Sequence, residues 1–149
     1  MLRYRADWQT LAYMLGASVL LGVQWVLDGF SWPLYALQLA LAFGVSIMHH
    51  NHRHLPMWRH PTLNRLTDGW FTAFQGHPGF VFDLCHNDNH HRYCNRSADW
   101  TRTYRYRDDN CLYGLAVHPF ESAVTLAPRI VYHLRHLRRG DPEAFARIR

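Results

Sequence analysis

Seven of the twelve histidines fall in two short stretches, "HHNHRH" at 49–54 and "HNDNHH" at 86–91. Each neutral imidazole offers one nitrogen lone pair, and imidazole is the commonest metal-binding side chain. On a helix, His50 and His54 lie one turn apart on one face, the spacing that lets two rings reach one ion. His52 points elsewhere and is a secondary ligand candidate; His49 is a weaker one, within reach of a neighbouring metal. In the second stretch His86 and His90 repeat the four-residue spacing, with His91 rotated by about 100°. Asp83, three residues before His86, is spaced to accept the outer ring N–H of a ligating histidine and so fix its tautomer. A solvated helix face would use Glu, Lys and Arg, and a core would use apolar residues. Two clusters of this composition therefore point to a metal.

All-nitrogen ligation suits Fe, Zn, Cu or Ni, and spacing alone does not choose among them. Zinc is the main alternative metal; a zinc site combining Cys85 or Cys94 with His86 and His90 is disfavoured, because its spacing matches no usual finger pattern. The three cysteines contain no C-x-x-C pair and make an odd count, which gives no disulfide framework and agrees with a reducing compartment.

Helices have to carry these rings. No charged residue occurs from Trp8 to Leu27 or from Gly29 to Met48, and only Asp28 separates the two runs. A helix rising about 1.5 Å per residue crosses the hydrocarbon core of a bilayer in about 20 residues. Arg3 and Arg5 before the first run would also suit a signal peptide, but the run is long for one and no small-x-small cleavage site follows. "LDGFSWP" instead reads as a tight connection. The expectation is a membrane hairpin of 8–27 and 31–54, with the second helix running on into the first histidine cluster. Sixteen arginines and no lysine supply the basic charge; two precede the first run, and fourteen (16 − 2) follow residue 49. The positive-inside rule then predicts a cytoplasmic N-terminus and cytoplasmic histidines. Beside a hairpin in lipid, the basic surface reads as headgroup contact, with no nucleic-acid partner.

Residues 55–149 form the predicted cap. Leu63, Leu66, Trp70 and Phe74 mark one face of a short helix over 62–75. A turn at Pro78 and Gly79 precedes a helix with the second cluster; 100–112 reads as loop, and 119–139 as an amphipathic helix with His133 and His136 on its surface. The fold class expected is thus an all-α membrane protein: one transmembrane hairpin followed by a cytoplasmic helical cap carrying two histidine boxes, in a single domain over 1–149.

A hairpin, an H-x3-H box (His50, His54) and an H-x3-H-H box (His86, His90, His91) resemble the integral-membrane fatty acid desaturase and hydroxylase superfamily. The flanking "HRHLPMWR" and "HHRY…DWTRTYRY" resemble a bacterial branch of it, and the resemblance covers most of 34–107. It implies two iron ions held by histidines at the cytoplasmic surface of the bacterial inner membrane. It also implies dioxygen-dependent attack on a fatty acyl chain, with electrons from a ferredoxin, rubredoxin or b-type cytochrome. Trp58, Trp70 and Phe74, with Phe71, Phe80 and Phe82, are candidates to line an acyl groove, although such aromatics also serve as plain core. The superfamily's third box, H-x-x-H-H or Q-x-x-H-H, is missing: after His91 only His118, His133 and His136 remain, none of them doubled. The expectation is an N-terminal portion of a larger enzyme, a truncated member, or a chain completed by a partner. A non-enzymatic histidine-rich membrane metal binder stays open beside the lipid-modifying enzyme, as does a simple membrane anchor.

Overall fold

The computed structural model describes residues 1–105, 109 and 111–146; Tyr106, Arg107, Asp108 and Asn110, within the stretch expected to be loop, lie outside the described residues. The described secondary structure is helical apart from one isolated bridge. The chain forms two compact units, Met1–Gly79 and Phe80–Arg149.

The first unit contains α1 (Asp7–Val26), α2 (Trp32–His54) and α3 (Pro61–Gln75). α1 ends where Leu27 turns to extended backbone, and Gly29, at φ 118°, supplies the reversal that residues with a Cβ avoid. Pro33 in the first turn of α2 costs no hydrogen bond, since the first amides of a helix have no intrahelical acceptor. The two helices pack closely where Gly44 meets Tyr13: a Cβ at Gly44 would lie 2.1 Å from Tyr13 Cε1. Ala17, Val45 and Phe71 are wholly buried at the centre, with Tyr13, Met14, Leu41, Met48, Trp70 and Phe74 packed around them. Both hairpin helices are long and apolar enough to cross a membrane. Little of either is buried, and Leu15, Val19, Trp25, Leu39 and Phe43 are among the large apolar side chains left exposed.

The expected face of α3 is turned inward only in part: Trp70 and Phe74 pack against the core, but the face is centred on residues the spacing did not single out. Phe71 and Thr67 are buried, whereas Leu66 is 66% exposed. Phe71 joins the hairpin core, and Thr67 Oγ1 accepts the Trp58 indole N–H at 2.8 Å. The helix stops at Gly76, which adopts the left-handed conformation (φ 72°) common at helix C-termini. Arg3 N–H donates to Met57 O and Arg59 N–H to Met1 O around an antiparallel Leu2–Trp58 bridge. The residues before α1 are thereby clasped to those after α2.

The second unit begins with α4 (Phe80–Phe82), which widens into a π-helix, Asp83–His90, and closes as α5 (His91–Tyr93). Cys94 and Asn95 then take positive φ angles. The long helix α6 is Leu112–Arg138, followed by α7 (Pro142–Ala146). α6 therefore starts seven residues before the expected position, with Cys111 Sγ accepting the Gly114 N–H at its start. Pro119 and Pro128 lie inside it and each remove one main-chain donor. His133 is buried, with its ring 6.0 Å from Phe80, which corrects the surface position expected for it.

Candidate metal-binding histidines

In the first unit, α2 brings His50 and His54 together as their spacing demands: the two Nε2 atoms are 3.1 Å apart. His50 Nδ1 also lies 3.4 Å from Asn51 Oδ1. Two nitrogens each about 2.1 Å from one ion and at right angles to one another are about 3.0 Å apart. The pair thus matches two adjacent ligands of a single ion; with no ion bound, the same separation suits a hydrogen bond between the rings.

His49 and His52 have other surroundings. His49 is fully buried, stacked on Phe71 with ring centroids 4.6 Å apart, and its Nδ1–H donates to Gln75 Oε1 at 2.8 Å. Gln75 is oriented in turn, since its Nε2 donates to Ser46 Oγ at 2.7 Å. His49 therefore carries its proton on Nδ1 and its lone pair on Nε2. His77, which the sequence reading passed over, stacks 5.7 Å from His49. His52 Nδ1 accepts the Met57 N–H at 3.2 Å, and its Nε2 is 3.7 Å from Asp68 Oδ1, so both nitrogens serve the bend after α2.

In the second unit the π-helix changes which rings meet. With i→i+5 bonding, the residue above His86 is His91 rather than His90. His86 Nε2 and His91 Nε2 are 3.0 Å apart, again the separation of two adjacent metal ligands. His90 stacks beside His86 at 5.3 Å between centroids and sends its Nδ1–H to Asp99 Oδ2 at 2.6 Å. That bond leaves the His90 lone pair on Nε2. Burial would raise the Asp99 carboxyl, but main-chain N–H donors of Thr101 and Asn95, the Thr101 hydroxyl and His90 outweigh it and hold the pKa below the usual value. Asp99 thus does for His90 what the sequence reading assigned to Asp83. Asp83 is buried and accepts from Asn87 Nδ2 at 3.4 Å. Asn89 fastens the returning loop, accepting from Trp100 N and donating to Ala98 O.

Cys85 is buried, and desolvation pushes its thiol up to about 11 against the pull of Arg129; Cys94 is exposed. Of the aromatics considered for an acyl groove, Trp58, Trp70 and Phe74 line two separate recesses of the first unit, whereas Phe71 is core and Phe80 and Phe82 belong to the second unit. Trp70 and Phe74 stack at 4.9 Å and face Ser18, Leu21, Gly22 and Trp25 around a space of ≈ 450 Å³. Trp58 borders another, near the N-terminus.

His50 and His54 in one unit, and His86 and His91 in the other, are each arranged as ligands that could bind a metal ion. No protein-family model matches the chain, and neither a curated protein nor a solved structure matches it.

Proposed function

We propose that the chain belongs to a membrane-embedded, dioxygen-dependent oxidoreductase that desaturates, or hydroxylates, fatty acyl chains. The observation that carries this reading is the pair of Nε2–Nε2 separations, 3.1 Å at His50–His54 and 3.0 Å at His86–His91. His50, His54, His86, His90 and His91 would hold two iron ions, and these would supply dioxygen activation. The donor set fits: it is neutral imidazole throughout, with Asp99 orienting His90. Iron over zinc, and an acyl substrate over others, rest on the resemblance of the two boxes to the desaturase and hydroxylase superfamily.

Membrane insertion is part of the same proposal. A helix pair that leaves Leu15, Val19, Trp25, Leu39 and Phe43 uncovered needs a non-aqueous surrounding. Phe30, Trp32 and Tyr35 cluster at the connecting end of the hairpin and Trp8 lies exposed at the other, as interfacial aromatics do. The arginine distribution supports a cytoplasmic side for the histidines, and on the resemblance the membrane would be a bacterial inner membrane, where a ferredoxin, rubredoxin or b-type cytochrome would deliver electrons.

The test is iron quantified in detergent-purified protein, together with acyl-chain profiling of cells expressing it. Bound iron that falls on His50→Ala and His86→Ala, with altered unsaturation or hydroxylation, is the expected result. Zinc alone with unchanged lipids would sink the enzymatic reading. A second reading, a non-enzymatic metal-binding membrane protein, is favoured by the donor set itself, which suits zinc, copper or nickel as well as iron. On that reading, replacing His86 and His90 lowers metal tolerance and leaves lipid composition untouched.

A further inference from the structure

The first unit has a recess of ≈ 510 Å³ at the end of the hairpin where α1 begins and α2 finishes. Its lining combines apolar Leu2, Trp8, Leu11 and Trp58 with Arg3, Arg5 and Arg59. The recess is built rather than accidental. The Leu2–Trp58 bridge holds Arg3 and Arg59 on neighbouring backbone segments, and Trp58 is fixed by Asn64, which both donates to its carbonyl and accepts from its amide. All three arginines are exposed, and among the described residues none of them pairs with a carboxylate. The one acid at this place in the sequence, Asp7, is occupied in part by the Tyr4 N–H at 2.9 Å. Three guanidiniums gathered against one carboxylate repel one another until an anion arrives. A phosphodiester suits them, because its oxygens accept the forked donors of arginine.

The apolar lining decides what carries the phosphate. Trp8 is 67% exposed, and the uncovered α1 side chains Leu15 and Val19 continue away from the recess along the helix. A ligand with an anionic head and hydrocarbon tails would use both surfaces, whereas free phosphate or nucleic acid would leave the apolar one unused. We infer that this recess is a specific site for the headgroup of an anionic phospholipid, with its acyl tails along α1. The inference rests on the hairpin lying in a membrane, as proposed above, and is independent of the metal and of any catalysis.

The experiment uses the full chain. Carbonate washing of membranes comes first: if the chain washes out, the hairpin reading and this one fall together. With the chain retained, protein in uncharged detergent is titrated with phosphatidylglycerol and phosphatidylcholine, and bound lipid is counted by native mass spectrometry. The wild type should retain phosphatidylglycerol selectively. Arg3→Gln/Arg5→Gln/Arg59→Gln should weaken that retention by on the order of tenfold or more, given the contribution of each basic residue near an anionic surface. Arg135→Gln/Arg138→Gln/Arg139→Gln removes the same charge from α6 and should leave retention intact. Arg59→Gln alone serves as the milder variant should the triple one fail to fold. Equal retention in wild type and the first-set variants would overturn the site, as would equal loss in the α6 variant. Displacement of the lipid by millimolar inorganic phosphate alone would also overturn it, by showing that the tails contribute nothing.

Discussion

Asp99 orients His90 from nine positions away, and nothing in the spacing of the histidines anticipates it. The sequence carries one local trace, Asp-x-Thr at 99–101, in which the Thr101 N–H and hydroxyl both donate to Asp99 Oδ1. What the sequence cannot show is that the loop after Cys94 folds back and places this turn against the π-helix. Asp83 is at helical spacing and was the legible choice. Replacing Asp99 by Asn keeps the shape but removes the charge that holds the His90 proton on Nδ1. Metal affinity should fall about 10- to 100-fold, measured by chelator competition, with a smaller effect for Asp83→Asn. Cys85 gives a second prediction. Its folded thiol titrates near 11 against a reference value of 9.0, so between those values the unfolded chain releases a proton that the native one keeps. Its contribution to stability is therefore full below pH 9 and lost as the pH rises toward 11. Iodoacetamide at pH 8 should modify exposed Cys94 and spare Cys85 until the fold is opened, as peptide mapping would reveal.

The helices of the hairpin were the most legible elements, because two uncharged runs of this length leave few alternatives. Their ends agree with the expected ranges to within a residue. α3 was placed correctly and its buried face in part: Trp70 and Phe74 pack on the core as their spacing predicts, but Leu66 is exposed, and Phe71 and Thr67 turn inward through partners contributed by α2 and the 57–59 segment. Pro119 reads as a helix start, yet α6 runs through it, a choice that propensity leaves open in a helix of 27 residues. The π-helix was not legible at all, since hydrophobic spacing does not distinguish i→i+5 from i→i+4 bonding over eight residues. The tight seat of Gly44 against Tyr13 predicts that Gly44→Ala destabilises the hairpin by about 1–3 kcal/mol through overpacking. Gly69→Ala, where the added Cβ meets nothing within 4 Å inside α3, should be neutral or slightly stabilising. Thermal unfolding of the two variants in one detergent compares them directly.

The division into two compact units at Gly79 coincides with the turn that Pro78 and Gly79 mark in the sequence. Each unit holds its own histidine pair, and each has its own means of setting ring orientation: Gln75 for His49 in the first, Asp99 for His90 in the second. The clasp between residues 1–3 and 57–59 has a consequence for the molecule as a body in a bilayer. Arg3 and Arg59 would resist entry into hydrocarbon, so in the proposed bilayer setting the clasp would act as a depth stop on the hairpin. α2 ends at His54, and His50 lies one turn, about 6 Å, further along it. On the proposed membrane reading, a stop at headgroup level would hold the ring pair at the margin of the lipid and keep it from the middle. If the proposed acyl substrate is used, its chain would then have to be drawn up out of the bilayer core, carbon by carbon. How far along that chain the reaction falls would be set by the length of the lift.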